Sequence, residues 1–354
     1  MQHAVVAGAL EDLVWFQTGR AVEEAAMEGF GASLAGVPFE RRVLRLEPRG
    51  GGAPTLARLA LHTLPSTVVA RAALVRHGTQ VLLGLGGFTS LPAVIAARSL
   101  GLPVALLEIN AVEGRATRWL KRHAARIFHA WPATLPRGEL AGDGPLHLWT
   151  GPPLASDFET QAPPAEGEAA ERRALGFDPD RPLLLVLGGS QGALGLNRFL
   201  ADHAPVFAER DVQVLHQTGP GRLAEAAGAQ AGYRAVEFLR PVSRALRAAT
   251  LVLCRGGAST LAEVGALRRP AWIVPYPHHA DRHQERNARQ LGAGARIVQE
   301  ADLDEERARE LARLCGQAGA EPRAAMHAAL QGCVPPQAAL RIWRELSELA
   351  RVPA

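Results

Sequence analysis

A glycine-rich loop directly after an apolar run is the stretch of this chain best suited to bind a charged ligand. Residues Leu183 to Leu187 read as a buried strand, and Gly188, Gly189, Ser190 and Gln191 follow before a helical pattern begins. This order places free backbone N–H groups and a helix N-terminus at the carboxyl end of a strand, where phosphate is the usual ligand. Many α/β proteins use the same turn only for tight packing.

A second loop of this kind follows the apolar run that ends at Cys254. Its small and hydroxyl-bearing residues are Gly256, Gly257, Ala258, Ser259 and Thr260. Glu263 lies one turn inside the helix that follows, where a carboxylate can accept two hydrogen bonds from ribose hydroxyls. The alternative is that Glu263 only stabilises the positive end of the helix dipole.

A third loop, Pro275 to Gln284, concentrates histidine, arginine and amide side chains at the end of another predicted strand, and Asn287 follows on the next helix. A loop that only packs against its neighbours is rarely so polar, so we expect this one to contact a ligand. His278, His279 and His283 are capable metal ligands, but no acidic residue at helical spacing accompanies them. The sequence therefore predicts no metal site.

Composition places the chain among globular proteins: it has 354 residues, 47% apolar and 21% charged, with a formal charge of +4. Arginine is scattered rather than concentrated in one block, so nucleic acid is not the expected partner. Three cysteines without metal-ligand spacing predict free thiols in a reducing cytosol. The N-terminus lacks signal-peptide features and no apolar run reaches the length of a membrane span.

Strand-like and helical patterns alternate along the chain, which predicts parallel sheets covered by helices on both faces. The alternation is interrupted over residues 151–170, rich in Pro, Ala and acidic residues, which we predict to be a linker. Two doubly wound α/β domains, residues 1–150 and 171–334, are therefore expected to face a cleft. The helical tail over 335–354 can dock on either domain, and we assign it to the first.

The predicted elements have definite bounds. In the first domain the strands are His3–Ala7, Phe39–Leu46, Val81–Leu83, Val104–Leu107, Ile127–Ala130 and Leu146–Trp149. In the second they are Leu183–Leu187, Val212–His216, Ala235–Phe238, Leu251–Cys254, Ala271–Val274 and Arg296–Val298. A long helical pattern, Thr55 to His77, contains Pro65, which we expect to kink or split it.

Several stretches, in order, resemble motifs of the MurG family of glycosyltransferases. In the first half these are GLGGFTSLPA and EINAVEGRATRWL, and in the second half GGSQGA, HQTG, CRGGASTLAE and PYPHHADRHQERNA. Members of this family add N-acetylglucosamine to the lipid-linked muramyl-pentapeptide of peptidoglycan. The resemblance covers most of the chain from about Val81 to Glu300, and so many motifs in one order are far more specific than any single one.

The resemblance implies a GT-B fold, in which two Rossmann-like domains face a cleft, and UDP-N-acetylglucosamine (UDP-GlcNAc) as the donor. Ser190, Gln191 and the neighbouring glycines would meet the diphosphate. Glu263 would take the ribose hydroxyls, and the backbone near Leu239 the uracil. No cofactor or metal is implied, because helix N-termini and N–H donors can stabilise a diphosphate leaving group.

The resemblance also assigns residues around the transferred sugar and the acceptor. Gln284 and Asn287 would face the sugar hydroxyls, and Asn110 would reach in from the first domain. The acceptor side would be formed by Gly86, Gly87 and Glu108.

Two stretches depart from the family pattern. The family carries a GGTGGH-type loop after its first strand, with a histidine often proposed as general base, whereas Ala7 to Trp15 here holds one glycine and no histidine. The family's GNPVR is replaced by GPPLA at 151–155. Three readings follow: a transferase with Glu11 or Asp12 as substitute base, a weakly active protein that binds a UDP-sugar or lipid intermediate as a scaffold, and a transferase with another acceptor.

A lipid-linked acceptor implies peripheral attachment to an anionic lipid surface, on the cytoplasmic face of the cell membrane. The segment Leu56 to Leu74 carries apolar residues that would face the lipid. Its expected basic rim comprises Arg58, Arg71, Arg76, Lys121, Arg122 and Arg126, beside Trp119. The alternative is that Leu56 to Leu74 is a core helix.

Overall fold

The computed structural model describes most of the chain. The described residues are 10–20, 23–24, 27, 30–34, 36–44, 46, 56–87, 89–136, 144–159, 165–226, 232–278 and 281–351. Side chains are described in these ranges except at 32–33, 56–61, 159 and 165–166. The predicted strand His3–Ala7 lies outside the described residues.

The chain divides into two units, Met1–Pro153 together with Gln337–Ala354, and Leu154–Pro336. Strand pairs among the described residues are parallel in both units. Helices lie between most successive strands, so the predicted α/β class is confirmed. The C-terminal tail belongs to the first unit.

The described secondary structure follows the chain in this order. The strands are β1 (Leu13–Gln17), β2 (Phe39–Val43), β3 (Leu82–Gly84), β4 (Val104–Glu108), β5 (Arg126–His129), β6 (Leu146–Trp149), β7 (Leu183–Leu187), β8 (Gln213–Gln217), β9 (Tyr233–Val236), β10 (Leu251–Cys254), β11 (Ala271–Ile273) and β12 (Ala295–Ile297). The helices are α1 (Leu56–Arg76), α2 (Ser90–Ser99), α3 (Arg115–Leu120), α4 (Ser156–Glu159), α5 (Ala165–Ala174), α6 (Leu194–Ala208), α7 (Val242–Ala248), α8 (Ala258–Ala266), α9 (His283–Ala288), α10 (Glu305–Cys315), α11 (Ala320–Ala329) and α12 (Ala338–Arg351). Short 3₁₀ helices are Gly31–Leu34, Lys121–His123, Pro132–Thr134, Leu223–Glu225, Arg289–Gly294, Glu300–Asp302 and Gln317–Gly319.

In the first unit, β1 pairs with β2, and β3 to β6 form a second sheet in sequence order. Alternate residues of β4 point to opposite faces of this sheet, as the period of a strand requires. Leu106 packs in a cluster with Leu74 of α1 and Val94 of α2. Leu107 packs instead with Leu346 of α12. Helices α1 and α2 therefore cover one face of the sheet and α12 covers the other.

The tail helix α12 is amphipathic. Ile342, Leu346 and Leu349 are buried against the sheet, each contributing about 1.5–3 kcal/mol of burial free energy. Arg126 of β5 forms ion pairs with Glu345 at 2.6 Å and with Glu348 at 3.0 Å. Apolar burial and these ion pairs together fix the tail on the first unit.

In the second unit the strand order is β12-β11-β10-β7-β8-β9. Leu183 to Leu187 are all buried, because β7 lies in the middle of the sheet with helices on both faces. Phe199 of α6 and Leu311 of α10 pack in one cluster with Leu184 and Leu253. Since β10, β7 and β8 are neighbours, the loops that follow them meet at one edge of the sheet.

The predicted linker, residues 151–170, is partly wrong. It contains α4, and α5 begins inside it at Ala165. The buried Arg172 fixes α5 to the second unit: its Nε donates to Ala248 O at 2.9 Å and its Nη2 donates to Thr250 Oγ1 at 2.8 Å. Alanine and acidic residues form this helix although the segment shows no apolar periodicity.

Other predicted bounds differ by one or a few residues, with two larger departures. Helix α1 continues through Pro65 without being split. The strand β1 begins at Leu13, inside the stretch Ala7 to Trp15 that the sequence predicts to be the first loop.

His77, directly after α1, binds two carboxylates at the beginning of β1 and β2. Its Nδ1 lies 2.6 Å from Asp12 Oδ2 and its Nε2 lies 2.6 Å from Glu40 Oε2. The hydrogen bond to Glu40, followed by that to Asp12, raises the pKa of His77 despite its burial. The same bond from His77 lowers the pKa of Glu40, which Arg76 and Arg42 also contact.

We predict that His77→Gln removes a pH-dependent part of the stability. The raised pKa of His77 adds stability that is full below its ordinary value of 6.5 and is lost as pH rises through the raised value. The lowered pKa of Glu40 adds stability that is full above 4.5 and is lost as pH falls through the lowered value. The Tm difference between parent and variant is therefore largest between pH 4.5 and 6.5.

Thermal unfolding followed by circular dichroism from pH 3 to 9 measures this difference. His62→Gln, on the same helix, is the matched control, and its Tm difference from the parent should show no such maximum. A difference for His77→Gln that is constant with pH would contradict the prediction.

Candidate active site

The loop after β7 is held in place through backbone contacts. Gly192 has φ +73° and Gly219 has φ +96°, which favours glycine at both positions. A Cβ on Gly192 would lie 2.2 Å from Thr218 O, and a Cβ on Gly219 would lie 2.4 Å from Gly192 Cα. The loops after β7 and β8 can touch only because neither glycine has a side chain.

Helix α6 begins immediately after this loop. Its N-cap residue, Ala193, has no side chain able to bond the first-turn N–H groups. Ser190 and Gln191 are exposed, and the space beside Gly189 is open. The N-terminus of a 15-residue helix with these neighbours is a suitable site for an anion.

Gln217, at the end of β8, connects two of the predicted donor-binding segments. Its Nε2 donates to Gly189 O at 3.2 Å, and its Oε1 accepts from Leu239 N at 3.4 Å. The side chain is buried. The sequence analysis assigned no role to Gln217. Its position at the end of a predicted strand, between two loops assigned to the site, could have indicated one.

A buried polar network lies beneath the same loop. Burial lowers the pKa of His216 to about 4, so its ring is neutral. Its Nε2 lies 3.0 Å from Asn197 Oδ1, and its Nδ1 lies 2.6 Å from Tyr233 Oη, which assigns the proton to Nε2. Asn197 Nδ2 donates to Thr218 O at 3.1 Å. The network ties the first turn of α6 to the carbonyl that Gly192 approaches.

The loop after β10 is joined to the loop after β11 by Gln284. Its Oε1 accepts from Gly256 N at 3.2 Å and from Tyr276 N at 2.9 Å. The buried Arg255 donates to Val274 O at 3.1 Å and forms an ion pair with Glu300. Because Oε1 is engaged in this way, the predicted contact of Gln284 with the sugar would use its amide nitrogen.

Helix α8 presents the hydroxyl residues and the predicted ribose ligand. It begins at Ala258 after Gly257, with Ser259 exposed and Thr260 partly exposed. Glu263 is partly buried one turn later. Burial, and secondarily the charge of Asp157, raises the pKa of Glu263 to about 7. Such a carboxyl group changes charge near neutral pH.

Asn287, whose predicted role is contact with the sugar, lies beneath the loop after β10. Its side chain is fully buried, and its Nδ2 donates to Gly256 O at 3.2 Å. It supports the loop after β10 from beneath. Asn287 therefore positions the backbone of this loop, and its contact with the sugar stays a prediction.

The histidines of the third loop do not form a metal site among the described residues, which contain no group of three or more His, Cys, Asp or Glu able to hold a metal ion. His283 pairs with Asp281 at 2.7 Å, and His278 contacts the ring of Tyr276. His279 lies outside the described residues.

In the first unit, the predicted acceptor-side residues lie at the carboxyl edge of the sheet. Gly86 and Gly87 follow β3 with φ values of +84° and +73°. Ser90 Oγ donates to Gly86 O at 2.7 Å and fixes this turn to the start of α2. Asn110 follows the neighbouring strand β4, so these residues share one edge.

Glu108, which was predicted on the acceptor side, is buried. Its Oε1 accepts from Asn110 N at 3.1 Å. Its Oε2 accepts from Gly114 N at 2.7 Å and from Thr117 Oγ1 at 2.6 Å. Because both oxygens are engaged, Glu108 shapes the loop that presents Asn110, and its role on the acceptor side stays a prediction.

Both halves of the chain are similar in sequence to known glycosyltransferases. Residues 183–332 match the glycosyltransferase family 28 C-terminal domain, and residues 10–129 match the N-terminal domain. The UDP-N-acetylglucosamine–N-acetylmuramyl-(pentapeptide) pyrophosphoryl-undecaprenol N-acetylglucosamine transferase of Sorangium cellulosum is 38% identical over 353 residues, covering 96% of this chain and 81% of that protein. The chain belongs to the MurG family of glycosyltransferases.

Two further similarities extend the assignment. The protein of the same name from Verminephrobacter eiseniae is 38% identical over 284 residues, 78% of this chain and 74% of that protein. A crystal structure of MurG from Acinetobacter baumannii has a TM-score of 0.70 at 23% identity, covering 98% of this chain and 95% of that one. The predicted GT-B fold is confirmed.

Within Ala7 to Trp15, where the sequence departs from the MurG pattern, the structure shows the positions of Glu11 and Asp12. Glu11 and Asp12 directly precede β1, and Asp12 is bonded to His77. Ligands of parallel sheets bind at the carboxyl ends of the strands. The predicted role of Glu11 or Asp12 as substitute base is therefore not supported by their position at the amino end of β1.

We predict that Gln217→Leu weakens binding of UDP about 10-fold. The variant keeps the side-chain size but removes two hydrogen bonds, each of which stabilises by about 0.5–1.5 kcal/mol. Isothermal titration calorimetry with UDP measures the effect. Gln213→Leu, a buried glutamine at the opposite end of β8, is the matched control and should leave UDP affinity unchanged. Equal losses in both variants would contradict a role specific to Gln217.

Proposed function

We propose that this protein transfers N-acetylglucosamine from UDP-GlcNAc to the muramyl sugar of undecaprenyl-diphosphate-linked muramyl-pentapeptide, in peptidoglycan synthesis. Membership of the MurG family supports this reaction. The observation that carries the donor half is the meeting of the loops after β11, β10, β7 and β8, neighbouring strands of one sheet, at its carboxyl edge. That edge is where α/β folds bind nucleotides.

The geometry supports a displacement at the sugar's reactive carbon. The acceptor hydroxyl oxygen bonds to that carbon from the face opposite UDP while the bond to the diphosphate oxygen breaks. UDP leaves with the electron pair, and the proton of the hydroxyl passes to solvent water. Because the new bond forms on the face opposite UDP, the configuration at that carbon inverts. The N-termini of α6 and α8 would stabilise the negative charge that develops on the diphosphate, and the proposal assigns no step to a metal or cofactor.

The ribose of UDP is assigned to Glu263. A carboxylate accepts hydrogen bonds from two adjacent hydroxyl groups, whereas a protonated carboxyl group loses part of that capacity. Because the pKa of Glu263 is raised to about 7, UDP should bind better as pH rises from 6 to 8. UDP affinity should rise with pH because the donor binds the ionised form of Glu263, which predominates above its pKa.

The turnover of UDP-GlcNAc with lipid-linked muramyl-pentapeptide tests the proposal. We expect release of UDP with formation of the disaccharide lipid, at a rate that EDTA does not change. Glu263→Gln should raise the Kd for UDP about 10- to 100-fold, because hydrogen bonds to a charged group contribute about 1.5–3 kcal/mol each. The variant should also lose the rise of affinity between pH 6 and 8.

Glu209→Gln, an exposed acid of the same unit, is the control and should match the parent. Donor binding without any transfer would contradict the transferase and support a binding or scaffold protein. Transfer to a different acceptor alone would contradict the assigned acceptor.

We also propose that the first unit attaches peripherally to an anionic lipid surface on the cytoplasmic face of the membrane. Among the described residues no helix is long and apolar enough to cross a bilayer. Leu64, Val68 and Val75 of α1 are 74%, 68% and 57% exposed, whereas Leu74 is buried in the core. Helix α1 thus combines the two predicted roles: one face packs in the core, and the other presents apolar residues that could face lipid.

The basic rim is smaller than predicted. Arg76 pairs with Glu40, and Arg126 pairs with α12 rather than facing outward. Arg71 is exposed on α1, and Arg122 is exposed near Trp119, which is itself exposed. The side chain of Arg58 is outside the described residues, and Lys121 pairs with Glu113 at 3.1 Å. Arg71 and Arg122 are the charges left to meet anionic lipid.

We predict that Leu64→Asp with Val68→Asp reduces binding to vesicles containing anionic lipid by at least 10-fold, because it places two charges on the apolar face. Flotation with phosphatidylglycerol vesicles measures binding. Leu223→Asp, which charges an exposed apolar residue of the second unit, is the control and should bind like the parent. Parent binding that does not depend on anionic lipid would contradict the proposal.

A further inference from the structure

Arg222, in the loop after β8, lies against the loop after β7. A Cβ on Gly192 would lie 2.8 Å from Arg222 Cδ, so the stem of the arginine side chain contacts the residue directly before the N-cap of α6. Arg222 N donates to Gly219 O at 3.2 Å, and Gly219 itself packs on Gly192. The backbone contact between the two loops therefore sets the position of Arg222.

One side of the Arg222 guanidinium group is fixed by an acid. Its Nη1 lies 3.1 Å from Glu225 Oε1 and 3.3 Å from Glu225 Oε2. Glu225 Oε2 also accepts from Asn197 Nδ2 at 2.9 Å, which ties the ion pair to the first turn of α6. The hydrogen bond from Asn197, and after it that from Arg222, lowers the pKa of Glu225, so the carboxylate stays ionised at neutral pH.

The other side of the Arg222 guanidinium group has N–H donors available to a ligand. Within the described part of the chain, neither its Nε nor its Nη2 has a hydrogen-bond partner. The side chain is 34% exposed, so these donors can be reached from solvent. The exposed residues Ser190 and Gln191 belong to the loop that Arg222 contacts. Arg222 thus places a positive charge with free donors beside the candidate anion site.

A second guanidinium group near the start of α6 is already engaged. Glu300 packs on Gly195 in the first turn of this helix, where a Cβ would lie 2.4 Å from Glu300 Cδ. Arg255 forms an ion pair with Glu300, and its Nη1 donates to Val274 O at 3.1 Å. The buried Arg255 therefore balances the charge of Glu300, whereas Arg222 keeps donors for an anion.

We propose that Arg222 binds the diphosphate of the sugar-nucleotide donor and makes the site prefer a nucleoside diphosphate to the uncharged nucleoside. A guanidinium group presents its donors in a planar fork that matches phosphate oxygens, and it keeps its charge at any working pH. The N-terminus of a helix supplies only about half an elementary charge, whereas a diphosphate is a multiply charged anion. This assignment rests on the proposed donor site and adds to it the residue that meets the charge of the leaving group.

Glu225 has a positioning role in this arrangement. By holding Nη1, it restricts the long side chain of Arg222 to the place beside Gly192. A guanidinium group held in this way loses less conformational entropy when its remaining donors bind phosphate.

The binding of UDP and of uridine to the intact chain tests the assignment. Arg222→Gln should raise the Kd for UDP about 10-fold, because a hydrogen bond between charged groups is roughly twice as strong as a neutral one. The Kd for uridine, which carries no phosphate, should remain that of the parent. Isothermal titration calorimetry measures UDP binding, and displacement of UDP measures uridine binding. Arg198→Gln is the matched control, since this exposed arginine of α6 also acts on Glu225, and it should change neither Kd.

Glu225→Gln separates contact with the ligand from a structural role of the ion pair. It removes the ion pair but keeps Arg222, so it should bind UDP more tightly than Arg222→Gln does. Equal Kd values for UDP in these two variants, an equal loss of UDP and uridine binding in Arg222→Gln, or no loss at all overturns the assignment of Arg222. Absence of UDP binding by the parent would overturn the donor site, and this assignment with it, so the two failures are distinguishable.

Discussion

The backbone contact between Gly192 and Gly219 is the constraint on which the donor side depends. It brings the loops after two neighbouring strands within a distance that any Cβ would prevent. The buried amide of Asn197 then bonds Thr218 O, and neutral His216 bonds that amide, so the first turn of α6 is held to the end of β8. Gln217 extends the same connection to Leu239. A helix N-terminus can act on an anion only when its direction is fixed in this way.

The candidate site combines the positive N-terminal ends of helices with an acidic side chain, Glu263. A phosphate-binding edge gains from positive helix ends, and a permanently ionised carboxylate nearby would oppose a diphosphate through like-charge repulsion. Glu263 reduces this conflict because burial raises its pKa to about 7. In the proposed complex the ribose hydroxyls donate hydrogen bonds to the Glu263 carboxylate and favour its ionised form, so donor binding and the ionisation of Glu263 are thermodynamically coupled.

How much of this could be predicted from the sequence depends on burial. The bounds of Leu183–Leu187 and Leu251–Cys254 were predicted correctly, because both are apolar runs ended by glycine or polar loop residues. Asn287 and Glu108 were assigned to the substrates from the family resemblance, and in the structure both are buried and bind backbone. A sequence shows that a polar group is present, but it does not show which way that group points. The same limit concealed Gln217, whose role arises from two contacts distant along the chain.

The placement of α12 bears on how the protein is made. The first unit takes its sheet from the beginning of the chain and the covering helix of one face from the end, with the whole of Leu154–Pro336 between them. During synthesis the second unit is complete while the first still exposes Leu107 and Phe128, the residues that α12 later covers. The nascent first unit must therefore remain soluble with one apolar face uncovered until α12 has been synthesised. A stop codon shortly before Ala338 would leave the second unit whole and the first permanently unfinished.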